Sequence, residues 1–315
     1  MAAPVNTLAS TSTVGLREDL ANFIYDISPD ETPLLTARPT TKASNTLHEW
    51  QTFSLRAATD NAHIEGDDTI ADAAQITARV NNRTQIFKNT AAVTGTQKAL
   101  NPAGRGDEMA FQLLQATKAH KLDMERALFL NQAKVTGTDI VAPRLAGLGS
   151  WIKTNVDKAG DGTNPTGDGS NARTDGTQAA FNQTRFDNVL QQMWENGADP
   201  KVVMLSAYQN NIAQGFVGSN GQRSQIAAEK DTVRKLVEVY ITAWGTVTFV
   251  PVRQSRSRDV WILDPEMAAI ATARPTQTEE LAKLGDSDRR QIVTEMTLVV
   301  RNEAGHGLVA DCTTS

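Results

Sequence analysis

Cysteine is almost absent: Cys312 is the single one in 315 residues. No intramolecular disulfide can form, and a lone thiol fits a chain that matures in a reducing cytoplasm. Long apolar runs are missing as well. Nothing approaches the roughly 18 consecutive apolar residues of a membrane-crossing helix, so no membrane contact is expected. The opening MAAPVNTLASTSTVGL has neither a basic start nor a compact apolar centre, and so does not read as a secretory signal. A basic excess is lacking too. Thirty-one Lys and Arg stand against 36 Asp and Glu, for a net charge of −5. A protein that drew its affinity from neutralising phosphates would show the opposite balance. Aromatic residues make up only 5% of the chain, while apolar content (40%) suits a globular protein.

Catalytic signatures are also missing. The four histidines, His48, His63, His120 and His306, are scattered. His48-Glu49 begins like a zinc-protease helix, but Thr52 stands where the second histidine is needed. Gly218-Ser219-Asn220-Gly221 is not a nucleophile elbow. No phosphate-binding loop or dinucleotide fingerprint is present, and Cys312 has no evident base. Asp161, Asp168 and Asp175 lie among glycines in residues 159–177, without the alternating ligands and closing Glu of a calcium loop. That stretch is expected to be a solvated insertion loop, with calcium binding as the sharper reading. No catalytic residue, cofactor or metal site is expected.

What the sequence does contain is dominated by residues 107–134, a helical pattern with no Pro or Gly. Asp107 offers an N-cap oxygen. Met109, Leu113, Ala116, His120, Met124 and Leu128 fall on one face, and Ala119, Leu122, Arg126 and Phe129 on a second line. Lys121 and Glu125 are spaced as an i,i+4 pair on the polar side. At about 1.5 Å per residue this spine would run some 40 Å.

Around the spine lie parts that cannot fold alone. Residues 1–45 form a Thr-, Ser- and Pro-rich arm with one amphipathic piece at 17–27. Residues 46–56 and 79–95 read as the two limbs of a long hairpin. Its tip carries Asp60, Glu65, Asp67, Asp68 and Asp72, with no Lys or Arg. A lone hairpin is marginal in water. A short helix at 185–196 follows, with Phe186, Val189, Leu190, Met193 and Trp194 on its apolar side and Gly197 after its end. Then come a buried-type strand at 201–205, a helix capped by Ser206, a polar loop at 217–232 and a β-rich run from 233. Arg253, Arg256 and Arg258 form a basic cluster, read as a solvated loop or as an inter-subunit partner for an acidic surface. Residues 271–303 suggest a hairpin turning at Gly285-Asp286, and 306–310 a final strand. An arm, a finger and a spine that need neighbours follow the logic of an assembling subunit.

The motifs come in a definite order: DETPLL (30–35), HEWQT (48–52), IEGDD (64–68), NRTQIF (82–87), KLDMERALFLN (121–131) and LAKLGDSDRRQIVTEMTLVVRNEAGHG (281–307). The chain resembles, over nearly its whole length, the SU10-type family of tailed-phage major capsid proteins, which is similar to the HK97 shell fold. The resemblance implies an α+β HK97-like fold with an N-arm (1–45), an E-loop (46–94), a P-domain made of the spine (95–136) and a hairpin (271–303), an A-domain (137–270) and a C-terminal strand returning to the A-domain (304–315). It implies a non-enzymatic subunit that assembles with itself into pentamers and hexamers of an icosahedral shell in the host bacterial cytoplasm. That shell would enclose double-stranded DNA without sequence specificity, with portal and in some cases cement or scaffold proteins as partners. Some shells of this fold crosslink an E-loop lysine to a neighbour's Asn; here no lysine occurs between Lys42 and Lys88, so no crosslink from the tip is expected. Ion pairs are expected instead, between Asp60, Glu65, Asp67 and Asp68 on one subunit and Arg289 and Arg290, or Arg253, Arg256 and Arg258, on the next. An encapsulin-type compartment enclosing protein cargo, and a cytoplasmic hydrolase with a metal in the Asp/Gly loop, are the alternatives.

Overall fold

A computed structural model describes residues 31–56, 58–66, 74–100, 106–216 and 239–314. The expected amphipathic piece at 17–27, Asp67, Asp68 and the loop at 217–232 lie outside the described residues. In chain order, α1 (Pro33–Ala37) and β1 (Thr40–Lys42) lead into β2 (Leu47–Thr52) and β3 (Ala78–Arg83). Next come β4 (Gln85–Thr94), α2 (Gly95–Ala99) and α3 (Glu108–Phe129). The middle of the chain holds β5 (Asn155–Asp157), α4 (Gln183–Glu195), β6 (Val202–Leu205), α5 (Ala207–Ala213), β7 (Val239–Thr242), β8 (Gly245–Pro251) and β9 (Val260–Leu263). The chain closes with β10 (Ala268–Leu281), β11 (Ser287–Val300) and β12 (Gly307–Val309).

Three sheets result. A four-stranded sheet runs β1-β10-β11-β4, a six-stranded sheet β5-β12-β9-β6-β8-β7, and β2-β3 stand as a separate pair. The six-stranded sheet is apolar on both faces, which is why its inner strands read as unbroken apolar runs. Side chains alternate across it. Val203, Leu205, Val260, Ile262 and Val309 pack under Phe186, Val189, Leu190 and Met193 of α4. Met204, Trp261, Leu263 and Leu308 point the other way, into a core shared with Met124, Ala127, Leu128 and Phe129 of α3 and with Ile270, Met296 and Leu298 of the four-stranded sheet. The rings of Phe129 and Trp261 sit 6.2 Å apart at that junction.

The spine forms as its cap predicts: Asp107 accepts from the N–H of Met109 at 2.9 Å. It stops at Phe129 instead of 134, giving about 33 Å of helix. Tertiary bonds take over beyond it. Asn131 exchanges hydrogen bonds with the backbone of Arg173, Gln132 donates to the carbonyl of Leu145, and Lys134 donates to Asn81. The first apolar line is the packing face, with Met109, His120, Met124 and Leu128 buried. The second is split, since Ala119 and Arg126 face solvent while Phe129 is fully buried. The expected Lys121–Glu125 pair is absent. Glu125 is wholly buried, and its two oxygens accept from the N–H groups of Leu34 and Leu35, each at 2.8 Å. It serves as the cap of α1 and seats the root of the N-terminal arm.

The return limb expected at 79–95 is two strands. Residues of β3 pair with β2, whereas β4 leaves and joins β11. The break falls at Thr84, whose hydroxyl donates to Glu295, and beside Asn82, which is fully buried. Asn82 donates to the carbonyl of Leu298 (2.7 Å) and accepts from the N–H of Ala146 (2.9 Å), so one side chain joins the hairpin, the sheet and the 145–150 turn. Trp194 is a further departure. It was expected on the apolar side of α4, but the structure leaves it 59% exposed.

Candidate functional site

Among the described residues, exposed large apolar side chains are spread over the surface, Ile140 and Ile241 among them, and four of them share the β2-β3 finger. Phe53, Leu55, Ile64 and Ile76 are exposed by 50%, 84%, 84% and 90%. Asp60 and Glu65 are exposed on the same finger. At its base Trp50 stacks near Trp151 at 5.5 Å, so the root is anchored, while the described residues of the tip bury no apolar side chain. Arg79 and Glu49 form an ion pair across the two strands.

The five arginines expected as acceptors for this acidic tip separate into three situations. Arg256 and Arg258 are engaged within the chain. Arg256 reaches Asp175 at 2.5 Å, and Arg258 donates to Asp311 at 2.6 Å and to the carbonyl of Gly176 at 2.6 Å. Arg173, with no side-chain exposure, pairs with Asp311 and lies 4.0 Å from Asp259. Arg256 Nη1 also lies 2.8 Å from Asp259 Oδ2, at an angle that gives an ion contact without a hydrogen bond. Three arginines thus face Asp175, Asp259 and Asp311, and their formal charges cancel. Burial pushes Asp259 up to about 6, against the pull of Arg256 and Arg173. Asp311 goes the other way: its burial is outweighed by the bonds from Arg173, Gly176 and Arg258, which hold it below the usual carboxylate range. Asp311 also sits at φ +56°, a left-handed conformation that Asp tolerates better than most residues.

This cluster anchors part of residues 159–177, the expected solvated insertion, most of which does stay exposed. Arg173 is 3% exposed, Thr163 and Thr174 form a bridge, and Gly162 and Gly176 meet so closely that a side chain on Gly176 would collide with the backbone of Gly162. The loop is solvated along most of its length but is pinned to the C-terminal segment where Arg173 and Gly176 bond Asp311. Spacing of Asp residues among glycines could not reveal this, because the partners come from positions 256–259 and 311.

Arg289 and Arg290 are neighbours in sequence but not in space. Both lie in β11, where Arg289 pairs with Leu281 and Ala92, and Arg290 with Glu280 and Ala91. Successive strand residues point to opposite faces. Arg290 therefore shares the face of buried Ala91 and of α3, while Arg289 lies on the face of Lys88. One docking partner on one face can meet only one of them. Arg253 is exposed just past the end of β8.

Cys312 is buried, and burial pushes its thiol up to about 12, so it is no nucleophile at neutral pH. Among the described residues, no group of three or more His, Cys, Asp or Glu could hold a metal ion.

Comparison with known proteins fits this picture. The sequence model of the SU10 major capsid protein family matches residues 5–313. A major capsid protein of Escherichia phage Phieco32 is 32% identical over 129 residues, which cover 41% of this chain and 36% of that relative's length. Among solved structures, the cyanophage A-1(L) capsid asymmetric unit superposes with a TM-score of 0.69 at 11% identity, covering 98% of this chain and 99% of that one. The capsid of a native GTA particle gives 0.65 at 10% identity, covering 98% and 100%. At such identities the likeness speaks to the fold, which is α+β and HK97-like. With a family match over almost its full length, the chain belongs to the SU10 major capsid protein family.

Proposed function

We propose that this chain is the shell-forming subunit of a tailed-phage capsid, assembling through pentamers and hexamers into an icosahedral container for double-stranded DNA. The observation that carries the reading is the β2-β3 finger. It exposes four large apolar side chains at 50–90%, and among its described residues no core forms beyond the root. Burying each such side chain is worth about 1.5–3 kcal/mol, and only another copy brings that gain repeatedly and in register. In this reading residues 1–45 are the arm, 47–83 the overlapping finger, α3 with β4, β10 and β11 the peripheral domain, and the six-stranded sheet with α4 and α5 the axial domain. The acidic tip, Asp60 and Glu65 with Asp67 and Asp68, meets Arg289, Arg290 or Arg253 of the next subunit, each exposed pair contributing about 0–1 kcal/mol.

Electron microscopy of the purified full chain tests the reading. Closed shells are expected, and a chain that stays monomeric at high concentration would refute it. Nuclease-protected DNA inside particles from infected cells separates a genome container from one holding protein cargo. An Asp67→Lys/Asp68→Lys variant that assembles like the parent at every salt concentration would remove the charge contacts from the proposal while leaving the finger's apolar role standing.

A further inference from the structure

Inside the peripheral layer, one hydrogen-bonded chain runs through the contact between α3 and its sheet. His120 is fully buried on α3. Its Nδ1 lies 2.7 Å from Asn89 Oδ1 on β4, and its Nε2 lies 2.8 Å from Thr294 Oγ1 on β11. Thr294 Oγ1 lies 2.8 Å from Thr276 Oγ1 on β10. Asn89 Nδ2 donates to Asp123 Oδ2 at 3.4 Å, one turn along α3. That last bond fixes the amide, so Asn89 Oδ1 must accept and His120 Nδ1 must carry hydrogen. Nε2 then accepts from Thr294, and Thr294 accepts from Thr276. Every donor in the sequence points the same way.

Both ends of this chain reach solvent, since Thr276 and Asp123 are exposed. Thr276 also sits in an irregular part of β10, where the register with β11 shifts between Arg274 and Gln277, beside Pro275. Such bulges re-aim side chains, and here the irregularity lies next to the hydroxyl at the wet end.

We propose that Thr276 and Thr294 form a proton wire to His120, whose tautomer Asn89 and Asp123 hold, so that a buried imidazole gains charge without unfolding and the helix–sheet contact becomes sensitive to acid. The balance is simple. A proton arriving at Thr276 displaces that hydroxyl's own proton to Thr294, which passes its own to Nε2. Each hydroxyl ends with one proton, and the imidazole gains one. All hydrogen bonds survive with the Thr–Thr–His half reversed: Nε2–H donates to Thr294, Thr294 to Thr276, and Thr276 to water. The cost falls on the new charge in an apolar layer beside Phe87, whose ring stands edge-on at 6.3 Å.

Asp123 is the charged group that acts on His120 from α3. On the facing surface of β4 the polar neighbour is Asn89, since Lys88 alternates to the far side. On β11 it is Thr294, while Glu295 turns away to Thr84 and Arg274. On β10 it is Thr276, and the opposed Glu280 and Arg290 lie nearer the hairpin tip. Burial lowers His120, and Asp123 pulls it partway back. With its folded value below its ordinary 6.5, the neutral ring stabilises the contact fully above that pH, and the benefit is lost as the pH falls through the lowered value.

Histidine C2-hydrogen exchange read by mass spectrometry on the full chain tests this, with the same peptide in denaturant as reference. A His120 midpoint below that reference is expected. Thr276→Val, at an exposed position, removes the acceptor of the reversed chain and should lower the midpoint further, by about one pH unit. Asp123→Asn should lower it as well. Amide protection over residues 108–129 should fall in the same pH window, and His120→Gln should abolish that fall. A His120 that never titrates in the folded chain, or midpoints indifferent to both Thr276→Val and Asp123→Asn, would overturn the wire. Identical amide-protection profiles for the parent and His120→Gln would overturn the acid sensitivity.

Discussion

Replacing Asp311 by Asn keeps the shape of the side chain and its tolerance for φ +56°, but removes one negative charge from a cluster that is otherwise neutral. Arg173 then lies buried against a neutral amide, with Asp175 at 3.7 Å and Asp259 at 4.0 Å as its remaining counter-charges. Breaking a buried pair by neutralising one partner costs about 3–5 kcal/mol, because the other charge is left uncompensated. Here Arg258 also loses its 2.6 Å carboxylate contact, though its partial exposure softens that second loss. A destabilisation of about 3–4 kcal/mol is therefore expected. Denaturant unfolding of the unassembled chain, followed through the buried indoles of Trp151 and Trp261, measures it. Asp311→Asn/Arg173→Met restores neutrality, with Arg256 and Arg258 against Asp175 and Asp259, and should recover more than half of the loss. A single variant within about 0.5 kcal/mol of the parent, in the range of ordinary surface changes, would refute the account. So would a double variant no better than the single one.

Three other outcomes follow from neighbouring geometry. Glu125→Ala leaves two N–H groups of α1 without acceptors, and leaves the buried Arg38, whose side chain has no hydrogen-bond partner among the described residues, facing one fewer carboxylate. A loss of about 2–4 kcal/mol is expected, together with faster proteolysis at residues 31–43; unchanged proteolysis would count against the socket. Asn82→Ala unpairs the buried Ala146 N–H and Leu298 carbonyl and should cost about 2–4 kcal/mol by thermal unfolding, whereas a loss under about 1 kcal/mol would mean the hairpin is held some other way. Ile64→Ser with Ile76→Ser should leave the chain's own stability within about 0.5 kcal/mol but shift sedimentation from shells towards free subunits, and unimpaired assembly would deny the finger its role.

The helices with local start signals were readable from sequence. Asp107 and Ser206 each cap the helix that follows them and Gly197 closes α4 at φ +78°, whereas the cap of α4 at Asn182 precedes the start at Arg185 expected from sequence. The apolar runs of β6 and β9 were readable for a different reason: both faces of their sheet are covered, so no polar alternation dilutes the signal. What stayed hidden depends on residues far apart in the chain. Glu125 looks like a solvent-facing partner of Lys121 until α1, some 90 positions earlier, settles on it. The end of α3 at Phe129 is imposed by bonds to Arg173 and Leu145, not by a breaker. The division of 79–95 into two strands depends on Asn82 and Thr84 finding Leu298 and Glu295, more than 200 positions later. No local propensity encodes such pairings.

The same distance effect changes how charge can guide assembly. Read along the chain, Arg256-Ser257-Arg258 and Arg289-Arg290 look like two doubly charged docking points. In space the first is neutralised by Asp175, Asp259 and Asp311, and the second is split across two faces of a sheet. In the proposed shell, an acidic finger tip from a neighbour would then meet single arginines, at about 0–1 kcal/mol each and less at high salt. Phe53, Leu55, Ile64 and Ile76 offer about 1.5–3 kcal/mol apiece once buried. The apolar set outweighs the ionic one by several-fold per contact. In the proposed shell, charge is thus left to select register and orientation, and the strength of the finger's attachment would rest on apolar burial that salt does not weaken.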